Sequence, residues 1–207
     1  MVTNESLLQE LHQHYRDTCD SIGKIDRLRD RYTLYTMVTL SILLLGAFGT
    51  VKIEDLVSLS LKSWLGQDVL VTTGYLRCIL WFALFAVTLK YFSAVVQRER
   101  LLKYIHSLED SLNRQGGEEF ITREGKSYLS DYPLFQNWVC VVYTWIFPLS
   151  LLAVVGLCLA AEMHTEEVKS PVLIIDCVIG AFVVVSTSLY FAFLHWGKNM
   201  KEQSARS

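Results

Sequence analysis

The sequence predicts an all-α, polytopic membrane protein with four transmembrane helices and cytoplasmic helical extensions. Of its 207 residues, 52% are hydrophobic and 19% are charged, whereas soluble domains are about 45–50% apolar and about 25% charged. The apolar residues are concentrated in four runs, residues 32–51, 69–96, 138–161 and 171–196. Each run has the roughly 20 residues that a helix needs to cross about 30 Å of hydrocarbon. This distribution excludes a soluble monomer, a disordered chain and a disulfide-rich secreted domain.

Basic residues indicate how the spans are oriented. Fourteen of the 19 Lys and Arg residues lie before the first run, between the second and third runs, or after the fourth run. Three lie in the segments on the other side of the membrane, and two lie inside the second run. Because cytoplasmic loops carry an excess of Lys and Arg, we expect both termini and the middle segment to be cytoplasmic. The alternative topology has both termini outside.

The spans and the segments between them give the predicted domain organisation. In chain order we expect a cytoplasmic amphipathic helix over 1–31, spans one and two over 32–96 with an outer interfacial helix over 55–66, a cytoplasmic helix and connector over 97–137, spans three and four over 138–196, and a cytoplasmic tail over 197–207. Within span three, Pro148 removes a backbone hydrogen bond and predicts a kink. Ser170 followed by Pro171 is typical of a helix start and predicts where span four begins.

Both long cytoplasmic segments have the apolar spacing of packed helices. The first carries a heptad-like series at Leu8, Leu11, Tyr15, Thr18, Ile22, Ile25 and Tyr32. The second carries Leu101, Leu102, Ile105, Leu108 and Leu112, followed by a Gly-Gly pair that is typical of a helix end. We expect the two helices to form an antiparallel or bundled pair. Seams of this kind also suit packing on a sister subunit or on another protein, so these alternatives stay open.

The predicted partner surface combines the second seam with the connector that follows it. A mixture of acidic and aromatic side chains suits a polar rim around aromatic anchors, as in many protein interfaces. The residues assigned to this surface are Leu101, Ile105, Leu108, Glu118, Glu119, Phe120 and Tyr128.

Three Lys, Arg or Asp residues lie inside the predicted spans, where charged groups are costly and usually functional. Arg77 in span two and Asp176 in span four lie at matching depths, which predicts a salt bridge between the two helices. This pair can orient the helices or take part in gating or conduction. Lys90 lies about seven residues before the end of its run, where it can snorkel to the interface or contact a pore or a lipid headgroup.

The motifs that carry catalysis are not found in the sequence. The string GGEEF at 116–120 matches the active loop of diguanylate cyclases, but the strands of that α/β domain are not predicted around it. Glu162, His164, Glu166 and Glu167 lie close together in the outer loop, where we expect a solvated acidic turn rather than a weak divalent-cation site. We therefore expect a protein that is not an enzyme, with no catalytic, cofactor-binding or metal-binding residues.

The topology and one segment resemble a known group of proteins. The segment FITREGKSYLSDYPLF at 120–135, followed by the aromatic stretch 138–148, lies within a four-span chain with a cytoplasmic helical stalk. This arrangement resembles the small four-span membrane proteins of bacterial antiphage defence systems, such as the membrane component of the Kiwa system. The resemblance implies a homo-oligomer in the bacterial inner membrane that senses envelope disturbance and recruits a cytosolic, nucleic-acid-acting effector.

Two classes of function follow. The first is a membrane scaffold or sensor that contacts lipid, oligomerises and recruits a cytosolic effector without binding nucleic acid itself. The alternative is an oligomeric pore-forming effector or ion channel, in which the charged residues of the spans line a path between subunits. An intramembrane enzyme is a third class, which the absence of catalytic motifs disfavours.

The charge bias predicts the result of cysteine-accessibility labelling in intact cells. Residues near Glu162 should react with a membrane-impermeant reagent, and residues near Glu118 should be protected until the membrane is permeabilised. The permeabilised sample is the control, since both sites should react there. The reverse pattern would overturn the predicted topology.

Overall fold

The described part of the chain is entirely helical. The computed structural model describes residues 4–48, 57–58, 62–63, 73–116, 138–139, 141–165 and 171–204. Its long helices are α1 (Asn4–Phe48), α2 (Thr73–Gly116), α3 (Phe147–Thr165) and α4 (Pro171–Ser204), and a π-helical turn, Val142–Ile146, directly precedes α3. The all-α prediction is confirmed.

Four helices are long and apolar enough to cross a membrane. The stretches that qualify are Gln9–Phe48, Gly74–Arg114, Val142–His164 and Pro171–Leu194, so the chain is a multi-pass membrane protein. With 45 and 44 residues, α1 and α2 are each about 66 Å long at about 1.5 Å per residue. Because the hydrocarbon core is about 30 Å thick, roughly half of each helix lies outside it.

The chain folds as two compact units. The first comprises Met1–Tyr32 and Lys90–Val141, and the second comprises Thr33–Leu89 and Val142–Ser207. The division falls between Tyr32 and Thr33 on α1 and between Leu89 and Lys90 on α2.

In the first unit, α1 and α2 pack as an antiparallel pair. Tyr15, Ile105, Leu108 and Leu112 form its buried cluster, and Leu11, Cys19 and Ile22 pack against it. The Tyr15 hydroxyl donates to Oε1 of Glu109 over 3.2 Å, and Arg98 pairs with Asp26 over 2.8 Å. Between these two contacts, the residue number rises by eleven on α1, from Tyr15 to Asp26, and falls by eleven on α2, from Glu109 to Arg98. The two helices are therefore antiparallel. The predicted helix pair is confirmed.

The buried seam corrects one part of the predicted partner surface. Ile105 is fully buried and Leu108 is 6% exposed, and both contact Tyr15's cluster within the same chain. These two side chains are therefore not available to another protein, and Leu101 is itself partly buried. Heptad spacing shows that a helix needs an apolar partner, but it does not show whose helix supplies it. Here the complementary seam lies on the same chain.

Tyr15 is a neutral hydrogen-bond donor within this pair. It lies outside the apolar run of α1, and burial raises the pKa of its phenol, with further contributions from the neighbouring Cys19 and Glu109. A phenol that keeps its proton can donate to the Glu109 carboxylate, which is itself 4% exposed. The hydrogen bond therefore satisfies a carboxylate that the seam would otherwise bury among apolar side chains.

The second unit packs its helices closely around an apolar core. Its fully or almost fully buried side chains include Trp81, Leu84, Leu151, Val155 and Val183. On α4, a Cβ added at Gly180 would lie 2.8 Å from Cδ1 of Leu159 on α3. The absence of a side chain at this position thus allows close packing of α3 on α4, as small residues commonly do in membrane helices.

The predicted kink at Pro148 takes the form of the π-helical turn. Proline lacks a backbone N–H and its ring displaces the carbonyl four residues earlier, which is that of Thr144. Thr144 lies inside the turn Val142–Ile146. Widening the backbone there accommodates the ring, and membrane helices commonly absorb a proline by such a local π adjustment.

Several predicted features lie wholly or mostly outside the described residues. The connector, including Glu118, Glu119, Phe120 and Tyr128, is among them. Of the predicted interfacial helix over 55–66, residues 57–58 and 62–63 are described, and they are helical.

The seam predicts which substitutions destabilise the helix pair. Ile105→Ala should lower its stability by about 2–5 kcal/mol, because the substitution leaves a cavity in the seam. Hydrogen exchange of the backbone amides of residues 97–114, in the full chain in lipid nanodiscs, measures the loss. Tyr104→Ala is the matched control, since Tyr104 is adjacent in sequence and 47% exposed. Equal exchange in both variants would contradict the packing of Ile105 in the seam.

Candidate functional site

Three charged side chains from three helices meet inside the second unit. The guanidinium of Arg77 on α2 donates from Nε to Oδ2 of Asp176 on α4 over 2.8 Å. The same Nε lies 3.5 Å from Oε1 of Glu162 on α3. Asp176 is fully buried, and the side chains of Glu162 and Arg77 are 5% and 16% exposed. We call these three residues the charge cluster.

A tryptophan also contacts Glu162. The indole Nε1 of Trp81, one helical turn beyond Arg77 on α2, donates to Oε1 of Glu162 over 3.1 Å. Trp81 is itself fully buried. Glu162 Oε1 therefore lies between an indole N–H and a guanidinium, and both of these donors come from one face of α2.

The local sequence places each charged residue on a core-facing position. On α3, the buried residues Leu151, Val155, Cys158 and Glu162 recur at steps of four, three and four. On α4, Asp176 continues a buried series that also contains Leu173, Ile179, Val183, Thr187 and Tyr190. Because these steps match the helical repeat, any residue at position 162 or 176 is turned inward. The carboxylates of Glu162 and Asp176 are buried because these residues lie on the core-facing sides of their helices.

The cluster lies near matching helix ends. Arg77 is four residues after the start of α2, Glu162 is three before the end of α3, and Asp176 is five after the start of α4. At about 1.5 Å per residue, these offsets are about 4.5–7.5 Å. The three side chains therefore meet within about one and a half turns of the ends of their helices.

The electrostatics of the cluster are those of a buried ion pair with a second acid. A carboxylate within hydrogen-bonding distance of a guanidinium is stabilised in its charged form, and removing either partner leaves a charge that the interior solvates poorly. The thiols of Cys78, Cys158 and Cys177 lie near the two carboxylates.

The structure brings together Arg77 and Asp176, the pair that the sequence predicted. Their contact joins α2 to α4 across 99 positions of the chain. The prediction was based on the similar depths of the two residues, each counted from the outer end of its apolar run. The charge cluster nevertheless has a third member that this reasoning missed.

Glu162 corrects the prediction of an acidic outer turn. The sequence analysis grouped it with His164 and two later glutamates in a solvated loop, but Glu162 lies in α3 and is buried. Its spacing of four from Cys158 and seven from Val155 is the signal that could have identified it as a core position. His164 is exposed, and Glu166 and Glu167 lie outside the described residues. Within the part of the chain that the structure describes, no group of His, Cys, Asp and Glu could hold a metal ion.

Lys90 does not join the charge cluster. It lies 13 positions after Arg77 on α2, about 20 Å along the helix at about 1.5 Å per residue, and its side chain is exposed. An exposed lysine towards the opposite end of a span is able to reach the interface by snorkelling. Both the lipid-headgroup contact and the pore contact predicted for Lys90 remain open.

Comparison with known proteins found no matching family model, no matching curated protein and no matching solved structure.

The geometry predicts that substituting Arg77 destabilises the chain more than substituting Asp176. Arg77→Leu leaves two buried carboxylates without their guanidinium and should destabilise the chain by about 3–5 kcal/mol. Asp176→Leu should cost less, because Glu162 remains beside Arg77. The double substitution should partly restore the stability lost in Arg77→Leu. Thermal melting and folded yield in detergent provide the measurements.

An exposed ion pair supplies the control for these variants. Asp30 pairs with Arg29 at 2.8 Å, and its side chain is 56% exposed. Asp30→Leu should change the stability by less than about 1 kcal/mol. Simple additivity of Arg77→Leu and Asp176→Leu would show that the two residues do not interact.

Proposed function

We propose that this chain is a non-enzymatic scaffold or sensor of the bacterial inner membrane, which oligomerises and recruits a cytosolic effector in antiphage defence. The observation that carries the proposal is the antiparallel pair of α1 and α2 in the first unit. Each of these helices is far longer than a span requires. A protein that only crossed the membrane would not need two extended helices held together by a buried seam.

The contacts within the first unit favour recruitment through its exposed faces and the adjoining connector. The seam is filled by side chains of the same chain, so an effector must bind elsewhere. The outward faces carry alternating charges together with partly exposed apolar side chains, such as Leu28 at 40% and Tyr104 at 47%. Charged surfaces with isolated aromatic residues suit a reversible interface more than a permanent one.

The orientation of the first unit is also part of the proposal. An even number of spans places both termini on one side, and the excess of Lys and Arg favours the cytoplasm for that side. An effector recruited to the paired helices would then be cytosolic. The antiphage setting, the bacterial inner membrane and the homo-oligomer are supported by the resemblance to four-span defence proteins.

The charge cluster favours a second candidate, an oligomeric pore or channel. Ionisable groups buried in a span are often part of an ion or proton path. Against a path through a single copy, Trp81, Leu84 and Val183 are fully buried in the second unit. A conducting path would therefore have to form between subunits.

Connector variants test recruitment. Charge reversal at Glu118 and Glu119, or Phe120→Ala, should abolish membrane co-sedimentation of the protein encoded beside this gene and should abolish phage protection. The reason is the loss of the acidic rim or of the aromatic anchor. Membrane insertion and oligomer size should stay unchanged. Asp110→Lys is the matched control, because it reverses an exposed acidic charge on α2 away from the connector.

Two outcomes separate the candidates. Recruitment that survives every connector variant would contradict the scaffold proposal. Membrane depolarisation when the chain is expressed alone, abolished by Lys90→Leu at unchanged folded yield, would instead support the pore.

A further inference from the structure

We propose that the first unit binds the headgroups of anionic phospholipids through three exposed basic residues of α1. These residues are Lys24, Arg27 and Arg31, and we call them the basic face. The antiparallel register of the helix pair places a fourth exposed cation, Arg100 of α2, level with Lys24. The proposal does not depend on recruitment of an effector.

The first observation is that charge is distributed unevenly along the helix pair. Residues 24–32 and 90–100, from which α1 and α2 continue into the second unit, contain seven Lys or Arg and three Asp or Glu. The rest of the pair, residues 4–23 and 101–116, contains three Lys or Arg and six Asp or Glu. One end of the pair is therefore positive and the other is negative. An anionic surface attracts the first end and repels the second.

The second observation is that the acidic residues at the positive end already have basic partners. Asp26 accepts a hydrogen bond from Nε of Arg98 over 2.8 Å and lies 3.0 Å from Nη1 of Arg29. Asp30 pairs with Arg29 over 2.8 Å, and Glu99 lies 3.8 Å from Arg98. The three residues of the basic face, by contrast, are exposed and have no ion-pair partner among the described residues.

The third observation is that the basic face continues an exposed apolar side of α1. Its residues are followed at steps of three, four and seven by Leu34, Val38 and Leu45, all of which are exposed. These steps return to the same side of a helix. Large apolar side chains exposed on a membrane-spanning helix suit contact with lipid tails. A lipid whose tails contact this side of α1 has its headgroup beside the basic face.

The depth of the basic face matches the headgroup region. Arg31 is the last charged residue of α1, since residues 32–48 contain no Asp, Glu, Lys or Arg. Charged groups are costly in hydrocarbon, so the hydrocarbon core begins after Arg31. Arg27 lies about 6 Å further out at about 1.5 Å per residue, and the headgroup region is about 5–7.5 Å thick on each side. On this side of α1 the next acidic residue is Asp20, about 16 Å beyond Arg31.

The residue types suit a phosphate group. A guanidinium can donate two parallel hydrogen bonds to phosphate oxygens, and an ammonium acts as a point charge. Zwitterionic phosphatidylcholine balances its phosphate with its own ammonium group, whereas phosphatidylglycerol keeps a net negative charge. The basic face should therefore prefer phosphatidylglycerol.

Electron spin resonance of spin-labelled lipids measures this preference. The full chain is reconstituted in phosphatidylcholine vesicles, with spin-labelled phosphatidylglycerol or spin-labelled phosphatidylcholine as the probe, and the motionally restricted fraction reports lipid in contact with the protein. The wild-type chain should restrict phosphatidylglycerol more than phosphatidylcholine. The difference should shrink between about 0.01 M and about 1 M salt, because the screening length falls from about 30 Å to about 3 Å.

Paired variants assign the preference to the basic face. Arg27→Gln combined with Arg31→Gln should lower the preference by about twofold or more, because each basic residue near an anionic membrane strengthens the attraction. Arg27→Lys combined with Arg31→Lys should keep it, since the charge is retained. Arg16→Gln combined with Arg114→Gln is the matched control. It removes the same charge from exposed arginines in the rest of the pair and should leave the preference unchanged.

Several results would overturn the proposal. They are no preference in the wild-type chain, an undiminished preference in the glutamine variant of the basic face, and an equal loss in the matched control. Loss of effector recruitment in that glutamine variant, with its lipid preference intact, would assign the basic face to a protein partner instead. A chain that prefers phosphatidylglycerol but recruits no effector would contradict the proposed function and leave the lipid site standing.

Discussion

The Arg77 guanidinium, held between two carboxyl groups where water is scarce, is the constraint on which the membrane unit depends. One nitrogen atom contacts Asp176 at 2.8 Å and lies 3.5 Å from Glu162, so a single side chain of α2 links α3 and α4. In water such contacts contribute little. In a poorly solvated interior, separating them is costly, because each charge loses its partner where water cannot replace it. The helices are therefore held in one rotational setting, in which positions 77, 162 and 176 face inward.

The two units are stabilised by different physical means. The first unit carries many charged side chains on its surface, and burial of apolar side chains such as Ile105 and Leu108 holds its two helices together. In the second, lipid is as apolar as the side chains, so apolar burial offers little gain between helices. Close packing at Gly180 and the polar contacts of the charge cluster then become decisive. A buried polar contact occurs in both units, Tyr15–Glu109 in one and Trp81–Glu162 in the other.

The same difference relates the two units to function. The seam of the first unit is filled by side chains of the same chain, so the recruitment proposed above would use its exposed faces and the connector. The second unit has a polar interior in which two acids share one base. A seam filled by side chains of the same chain favours a stable helix pair. A buried ion pair joins its helices in a way that is costly to break, because separated charges are poorly solvated in the interior.

The sequence by itself determined the four spans, the two apolar seams and the Arg77–Asp176 pair, because each depends on spacing along one chain. Hydropathy predicts the length of a span, and heptad spacing predicts an apolar seam. Similar depths in two spans predict the contact between Arg77 and Asp176. Only the tertiary structure decided that the two seams fill each other and that Glu162 is a core residue. Spacing describes one helix at a time, whereas these features depend on which face of one helix meets which face of another. Glu162 directly follows the apolar run 138–161, where the sequence is compatible with a loop or with a helix. Its contacts with Trp81 and Arg77 show that it belongs to the helix and to the core.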